Sequence, residues 1–471
     1  MTNNIKHILR YGTNADQKYF SGDFESCYDM VAINANMIAS SPDALALFVG
    51  KQTINKPFFV DPITHLFQHS QSYISGANGN IKKSIDNLIS KYAIGIISED
   101  ANTQDKYDLL KKEIKKTKLE DNFVSKFAKN VLDYQENLIN GKKNPGDYKK
   151  YVAFAKAEDP LMADLEIHQD PDFLVAPYFY IDEYLWVDKN IELIEISKKV
   201  SNKKIYAQIV LSKRLFERSY LSGEGNQFEE MIKKYKETSS DGFLVWLDGY
   251  SEHEQVSSSL NEYSKFLKEL KTQGKPVYLL YGGYFSICLI NAISVNAVSH
   301  GLEYGESREV VPVGGGIPTA KFYFLPLHKR MILKDMLALI IDLKINSKED
   351  FFEKICDCPT CKESIGSDVL KDFQSTYGIT KPSTFKRGKT LVTMSFSTTE
   401  TKSKSLKHYL YNKRKEFEQV SKENLKQIID KLNNDIEAYK SFVSLDNYQH
   451  LLEWEESLKN ISSNSEQETA K

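Results

Sequence analysis

Short apolar runs that alternate with helix-forming stretches constrain this chain most. They lie at residues 57–61, 173–181, 204–211, 242–247, 276–281 and 297–300. The stretches between them, such as 227–238 and 260–273, place good helix formers at helical spacing. Strand and helix in alternation imply βα units and a parallel sheet. Several runs are apolar throughout, as strands covered on both faces require. Polar residues close the runs: Asp61, Asp182, Gln208 and Asp248. A (β/α)8 barrel carries its chemistry at such strand ends. No Gly-x-Gly-x-x-Gly follows a strand, so nothing supports an open dinucleotide-binding sheet. The fold expected is α/β, a (β/α)8 TIM barrel with a helical insertion and, where Cys356, Cys358 and Cys361 cluster, a zinc-binding subdomain.

The rhythm sets the boundaries. The barrel spans 1–345, with a Lys-, Asp- and Asn-rich helical insertion at about 81–159. The metal-binding subdomain spans 346–415 and a charged helical segment 416–461. The polar tail at 462–471 is expected to be disordered. The net charge of −2 selects no partner. Basic clusters lie at 111–118, 142–150, 381–389 and 402–415; such clusters are usually solvated helix faces, but the last two offer a phosphate-facing surface. Sparse, isolated Cys27 and Cys288 fit a reducing compartment better than a disulfide framework. The N-terminus has no apolar signal core, and no apolar stretch approaches a membrane span. A cytoplasmic protein without a membrane partner is expected.

Three of the five cysteines fall within six residues, as Cys356-Asp-Cys358-Pro-Thr-Cys361. Three thiols so close can face one ion, and a histidine from a later segment completes a tetrahedral set. His408 is the candidate and His328 its substitute. Zinc suits Cys3His ligation, and four protein ligands leave no open position, so the zinc expected is structural. His65, His300 and His328 show no second metal-ligand spacing.

Cys-x-Cys-x-x-Cys followed by a helical histidine resembles the zinc subdomain of the tRNA-guanine transglycosylase family, and other runs match in family order. Residues 57–61 (PFFVD) followed by Phe67-Gln68 resemble the strand whose aspartate precedes a Gly-Gly-Phe-Gln turn. Here Ile63-Thr64-His65 stands in place of the glycines. Residues 177–183 (PYFYIDE) are similar to the strand whose aspartate binds the incoming base, and 205–208 (IYAQ) to the strand supplying a base-binding glutamine. Asp248-Gly249 and the later Glu254 lie where a glycine turn and a glutamate are expected. Gly282-Gly283 resembles the next strand's turn.

The resemblance implies that a carboxylate displaces guanine from a nucleotide and that a 7-deazaguanine base then displaces the enzyme from a covalent glycosyl intermediate. Two carboxylates are needed, as in retaining glycosidases. Asp61 and Glu303 are the catalytic candidates. Asp182, Gln208, Asp248, Gly249, Gly282, Gly283 and Arg308 are the substrate-binding candidates. Tyr178, Tyr180, Tyr281 and Tyr284 are candidate walls for an unstacked base. The family's nucleophilic aspartate at the strand matching 297–300 is missing, since no aspartate occurs between Asp248 and Asp335. Glu303 or Glu306 supplies that carboxylate, or Asp61 takes a larger role.

The altered turn, the missing aspartate and the long insertion favour DNA over tRNA as the polymer. The protein partner left open is a second copy or another subunit. The competing expectation is an inactive, transglycosylase-like subunit that binds a partner protein or nucleic acid.

Overall fold

The computed structural model describes residues 6–12, 14–40, 45, 48–49, 56–76, 79–136, 170–222, 225–302, 305–311, 319–387 and 390–469. These form two compact units. The first comprises Met1–Ser251, Glu262–Gly283 and Ile293–Pro312. The second comprises Glu252–Asn261, Tyr284–Ala292 and Val313–Lys471.

The first unit carries a nearly closed parallel barrel, as the strand–helix alternation predicts. Its strands are β1 (Lys6–Tyr11), β2 (Met30–Asn34), β3 (Phe58–Asp61), β4 (Leu174–Val175), β5 (Tyr180–Ile181), β6 (Ile205–Leu211), β7 (Gly242–Leu247), β8 (Val277–Leu279) and β9 (Ala297–His300). They run in the order β3-β2-β1-β9-β8-β7-β6-β4, with β5 also on β6. Since β4 and β5 both pair with β6, they are two segments of one extended stretch, and the barrel has eight positions. Every residue of β6 and β7 is buried, the signature of strands covered on both faces.

Side chains fill the interior. Ile8, Met30, Ala32, Phe59, Val175, Leu244, Leu280 and Ala297 share one cluster with Phe173, Tyr206 and Tyr278. Tyr206 stacks on Phe173 with centroids 3.8 Å apart. Gly242 makes this possible, because a Cβ there would stand 2.6 Å from the Tyr206 ring.

The ladder is open between β3 and β4, where the Asp172 amide donates to Phe58 O (2.8 Å). Side chains satisfy the backbone of 175–180 instead. Gln135, fully buried, donates to Val175 O and accepts from Val175 N, both at 2.8 Å. Thr64 does the same for Tyr178 and Asn190 for Phe179. Gln68 accepts from Tyr180 N (2.6 Å) and donates to Tyr180 O (2.9 Å). The Phe67-Gln68 turn is therefore a brace for the fourth strand position. Gln135 belongs to the expected helical insertion, whose helices are Lys83–Tyr92, Thr103–Lys115 and Asp121–Glu136. The remainder of that insertion, 137–159, lies outside the described residues.

The second unit is mostly helical. It contains the pair β10 (Phe322–Phe324) and β11 (Lys329–Met331), and a ribbon of β12 (Thr380–Arg387) with β13 (Thr390–Ser397). Thr398 caps the long helix Thr399–Lys422 by accepting from Thr401 N. The final helix, Leu445–Thr469, runs through residues 462–469, where the polar composition predicts disorder. No described helix is long and apolar enough to cross a membrane.

Candidate functional site

Strand ends on one side of the barrel converge on a cavity of about 230 Å³. Arg10 from β1, Asn34 from β2, Asp61 from β3, Trp246 from β7, Tyr281 after β8 and Arg308 after β9 line it, with His65 and His69 from the β3 turn. Arg10, Asp61 and His65 are buried where the chain leaves its apolar strands, Asn34 and His69 are half-buried, and Arg308 is exposed at the rim.

Asp61 is the centre of this arrangement and is only 1% exposed. Its Oδ1 accepts from the Tyr178 hydroxyl (2.6 Å) and the Ile63 amide (3.1 Å). Its Oδ2 lies 3.4 Å from Arg10 Nη2, which also donates to Asn34 Oδ1 at 2.6 Å. The Arg10 guanidinium lies over the Tyr281 ring, 4.6 Å from its centroid. Its Nη1 is buried without a hydrogen-bond partner. Arg308 reaches the Tyr281 hydroxyl at 3.4 Å. The cavity thus holds one carboxylate, two guanidinium groups, the Lys82 ammonium group and the aromatic rings of Tyr73, Trp246 and Tyr281.

His65 lies beside this group, with Nδ1 3.1 Å from the Tyr178 oxygen. The single phenolic proton goes to Asp61, so His65 Nδ1 must be the donor. That fixes the tautomer. Burial pushes the His65 pKa down to about 3, with Asp61 opposing, so the ring is neutral at physiological pH. Burial, reinforced by Asp61, drives the Tyr178 hydroxyl well above the ordinary tyrosine range, so it remains a donor.

The other expected site residues distribute around this centre. Asp248 accepts from Tyr180 OH (2.5 Å) and Val310 N (2.7 Å). Gly249 turns the chain with φ +61, and its amide donates to Arg308 O (2.9 Å), so this turn holds the arginine's segment. Gly282 N donates to Ser299 O at 3.1 Å, and Gly283 follows it. Gln208 is inside β6 rather than at its end. It stands two residues from both Tyr206 and Val210, on the same face of the strand, and so faces the barrel interior. Both of its amide atoms are buried without partners. Asp182 is not among the residues lining the Asp61 cavity. It is half-buried, with Trp186 and Arg214 among its neighbours, and burial raises its pKa. Glu303 lies outside the described residues. Of the candidate walls, Tyr281 lines the cavity and Tyr178 holds the carboxylate, while Tyr284 belongs to the second unit.

Sequence reasoning missed Arg10, Asn34 and Trp246. Arg10 was accessible by a rule like the one that found Asp61, since a charged residue follows the apolar pair Ile8-Leu9 near the end of its strand. Strand β9 ends on His300, whose Nε2 is 2.5 Å from His7 Nε2. His7 alternates with the interior residue Ile8, so this pair lies on the outer face of the barrel.

In the second unit, Cys356, Cys358, Cys361 and His408 are buried, with their ligand atoms all within 4.8 Å of one another. This cluster could hold a metal ion and is consistent with zinc. The sulfurs lie 3.6, 3.3 and 3.5 Å from His408 Nδ1. Tetrahedral zinc, with Zn–S about 2.3 Å and Zn–N about 2.0–2.1 Å, requires sulfur–nitrogen separations of about 3.5 Å. The His408 Nε2–H donates to Tyr323 O (2.8 Å), which leaves the Nδ1 lone pair aimed at the thiols. Tyr377 OH lies 3.2 Å from Cys361 Sγ, within donating distance. His328 is not a ligand; it binds Glu416 Oε1 through Nδ1 (2.6 Å).

No family model matches the chain, and neither does any curated protein or solved structure.

Proposed function

We propose that this protein exchanges guanine for a 7-deazaguanine base in a polynucleotide, with DNA as the polymer and structural zinc in the second unit. The carrying observation is Asp61: a buried carboxylate at the barrel mouth, set between aromatic faces and two guanidinium groups. An N-glycosidic reaction needs each part. Oδ1 is held by two donors, and Oδ2 makes one long contact, so Oδ2 is the freer nucleophile. It attacks C1′, the C1′–N9 bond breaks, and its electron pair leaves with guanine, which takes a proton. The incoming base then forms its own bond to C1′, releases a proton and frees Asp61. Trp246 and Tyr281 offer walls for an unstacked base, and Arg10 and Arg308 offer partners for phosphate. Gln208, the base-reading candidate, keeps its amide unsatisfied but is buried in the barrel interior and is not among the residues that line the cavity. Glu303 is the second carboxylate the sequence offers.

The test incubates zinc-replete protein with labelled guanine and either duplex DNA or bulk tRNA. Label in DNA, abolished by Asp61→Asn, is the expected result. No label in either polymer would overturn this reading. It would favour the inactive-subunit alternative, which the absence of any aspartate between Asp248 and Asp335 supports.

A further inference from the structure

The ribbon of β12 and β13 is unlike the rest of the molecule. Residues 380–397 carry four basic residues (Lys381, Lys386, Arg387 and Lys389) and no acidic one, in a chain whose net charge is −2. The register pairs Lys381 with Phe396, Ser383 with Met394 and Phe385 with Val392. Opposed residues share a face, so Phe385, Val392, Met394 and Phe396 form one apolar stripe with Lys381 at its end. Phe385 and Phe396 are in ring contact at 6.0 Å. The stripe is open to solvent: Phe385 is 38% and Met394 48% exposed. On the other face Lys386 stands opposite Leu391, which is 68% exposed. Among the described residues, neither Lys381 nor Lys386 has an acidic partner.

A two-stranded ribbon with solvent on both faces has little of its own to stabilise it. Exposed apolar stripes of this kind mark binding surfaces, and cations without counter-charges call for a polyanion. We propose that this ribbon docks duplex DNA through the major groove. That groove admits a two-stranded β-ribbon, and its thymine methyl groups give an apolar stripe something to contact. The lysines meet the phosphates. The major groove of an RNA duplex is too deep and narrow to admit the ribbon. The ribbon therefore selects the form of the polymer, apart from any chemistry at Asp61. This inference rests on the base-exchange reading only in making nucleic acid the substrate.

Fluorescence anisotropy with the full-length, zinc-replete chain tests it, using a labelled DNA duplex and an RNA duplex of the same sequence over a range of salt. The wild type should bind DNA more tightly than RNA. Lys381→Gln with Lys386→Gln should weaken DNA binding about tenfold and flatten the slope of log affinity against log salt by about 2. Phe385→Ala with Met394→Ala should narrow the preference for DNA. Unchanged affinity and slope in the lysine variant would overturn the proposal. So would equal binding of RNA, or sedimentation showing that the variants break a dimer and leave DNA binding intact. All four positions are exposed, and unchanged circular dichroism establishes that the variants fold. No free base is present, so a failure of base exchange leaves the measurement readable.

Discussion

Ile63 stands directly beyond Asp61-Pro62 with φ 47, in the left-handed region. A β-branched residue there is strained by about 1–2 kcal/mol. The transglycosylase resemblance expects glycine in this turn, and the backbone takes a glycine-like path although the sequence does not supply one. The path has a use, because it points the Ile63 amide at Asp61 Oδ1. Ile63→Gly should leave the urea midpoint unchanged or raised, since relief of strain offsets the roughly 0.5–1 kcal/mol of added chain entropy. A loss beyond about 1 kcal/mol would mean that the isoleucine side chain matters more than the turn. Tyr178→Phe tests the other bond to the same oxygen. A hydrogen bond to a charged group contributes about 1.5–3 kcal/mol, so base exchange should fall about ten- to a hundredfold at unchanged polymer affinity. An equal fall in affinity would make Tyr178 a substrate contact instead of a positioning residue.

At the level of elements, the fourth strand position is held by side-chain amides where a neighbouring strand is absent. Gln135→Ala would leave the Val175 amide and carbonyl buried and unpaired. At about 1–3 kcal/mol for each of the two orphaned groups, stability should fall by about 2–6 kcal/mol, read from urea unfolding. A change under about 1 kcal/mol would mean that water replaces the amide. These braces also explain what the sequence could not convey. The apolar runs of β6 and β7 are legible because burial on both faces dictates their composition. A glutamine 40 residues from the carbonyl it satisfies has no local signature. The thiol cluster was legible because its spacing encodes its geometry, and His408 because it could be matched to that cluster. Arg10 was overlooked although its strand follows the same pattern. The tail was misread because composition ignores helix propagation. Leu451, Trp454, Leu458 and Ile461 anchor Leu445–Thr469, and the polar end continues a helix already nucleated. The metal cluster makes its own prediction: one zinc per chain by elemental analysis, lost in Cys358→Ser. A full zinc complement in that variant would place the ion elsewhere.

For the whole molecule, acid should be the weakness. Burial lowers the pKa of His65 in the first unit and of His328 and His450 in the second. Each ring is neutral when folded and takes a proton more readily once unfolded. The unfolded state therefore binds more protons below the ordinary histidine value, and stability is lost as pH falls through about 6.5 towards the folded value. For His65 that folded value is about 3, so its full effect is felt across the mildly acidic range. Between pH 7.5 and 5.5 one such histidine removes about 1.4 kcal/mol. His65→Gln keeps a polar group beside Tyr178 and does not titrate. The other histidines and the thiol cluster act alike in both proteins, so they cancel in the comparison. Urea unfolding at the two pH values should show wild type losing about 1.4 kcal/mol more than the variant. Equal losses would mean that His65 carries its proton in the folded state. The Tyr178 oxygen would still receive a proton from its Nδ1, but Asp61 would then face an imidazolium as well as two guanidinium groups.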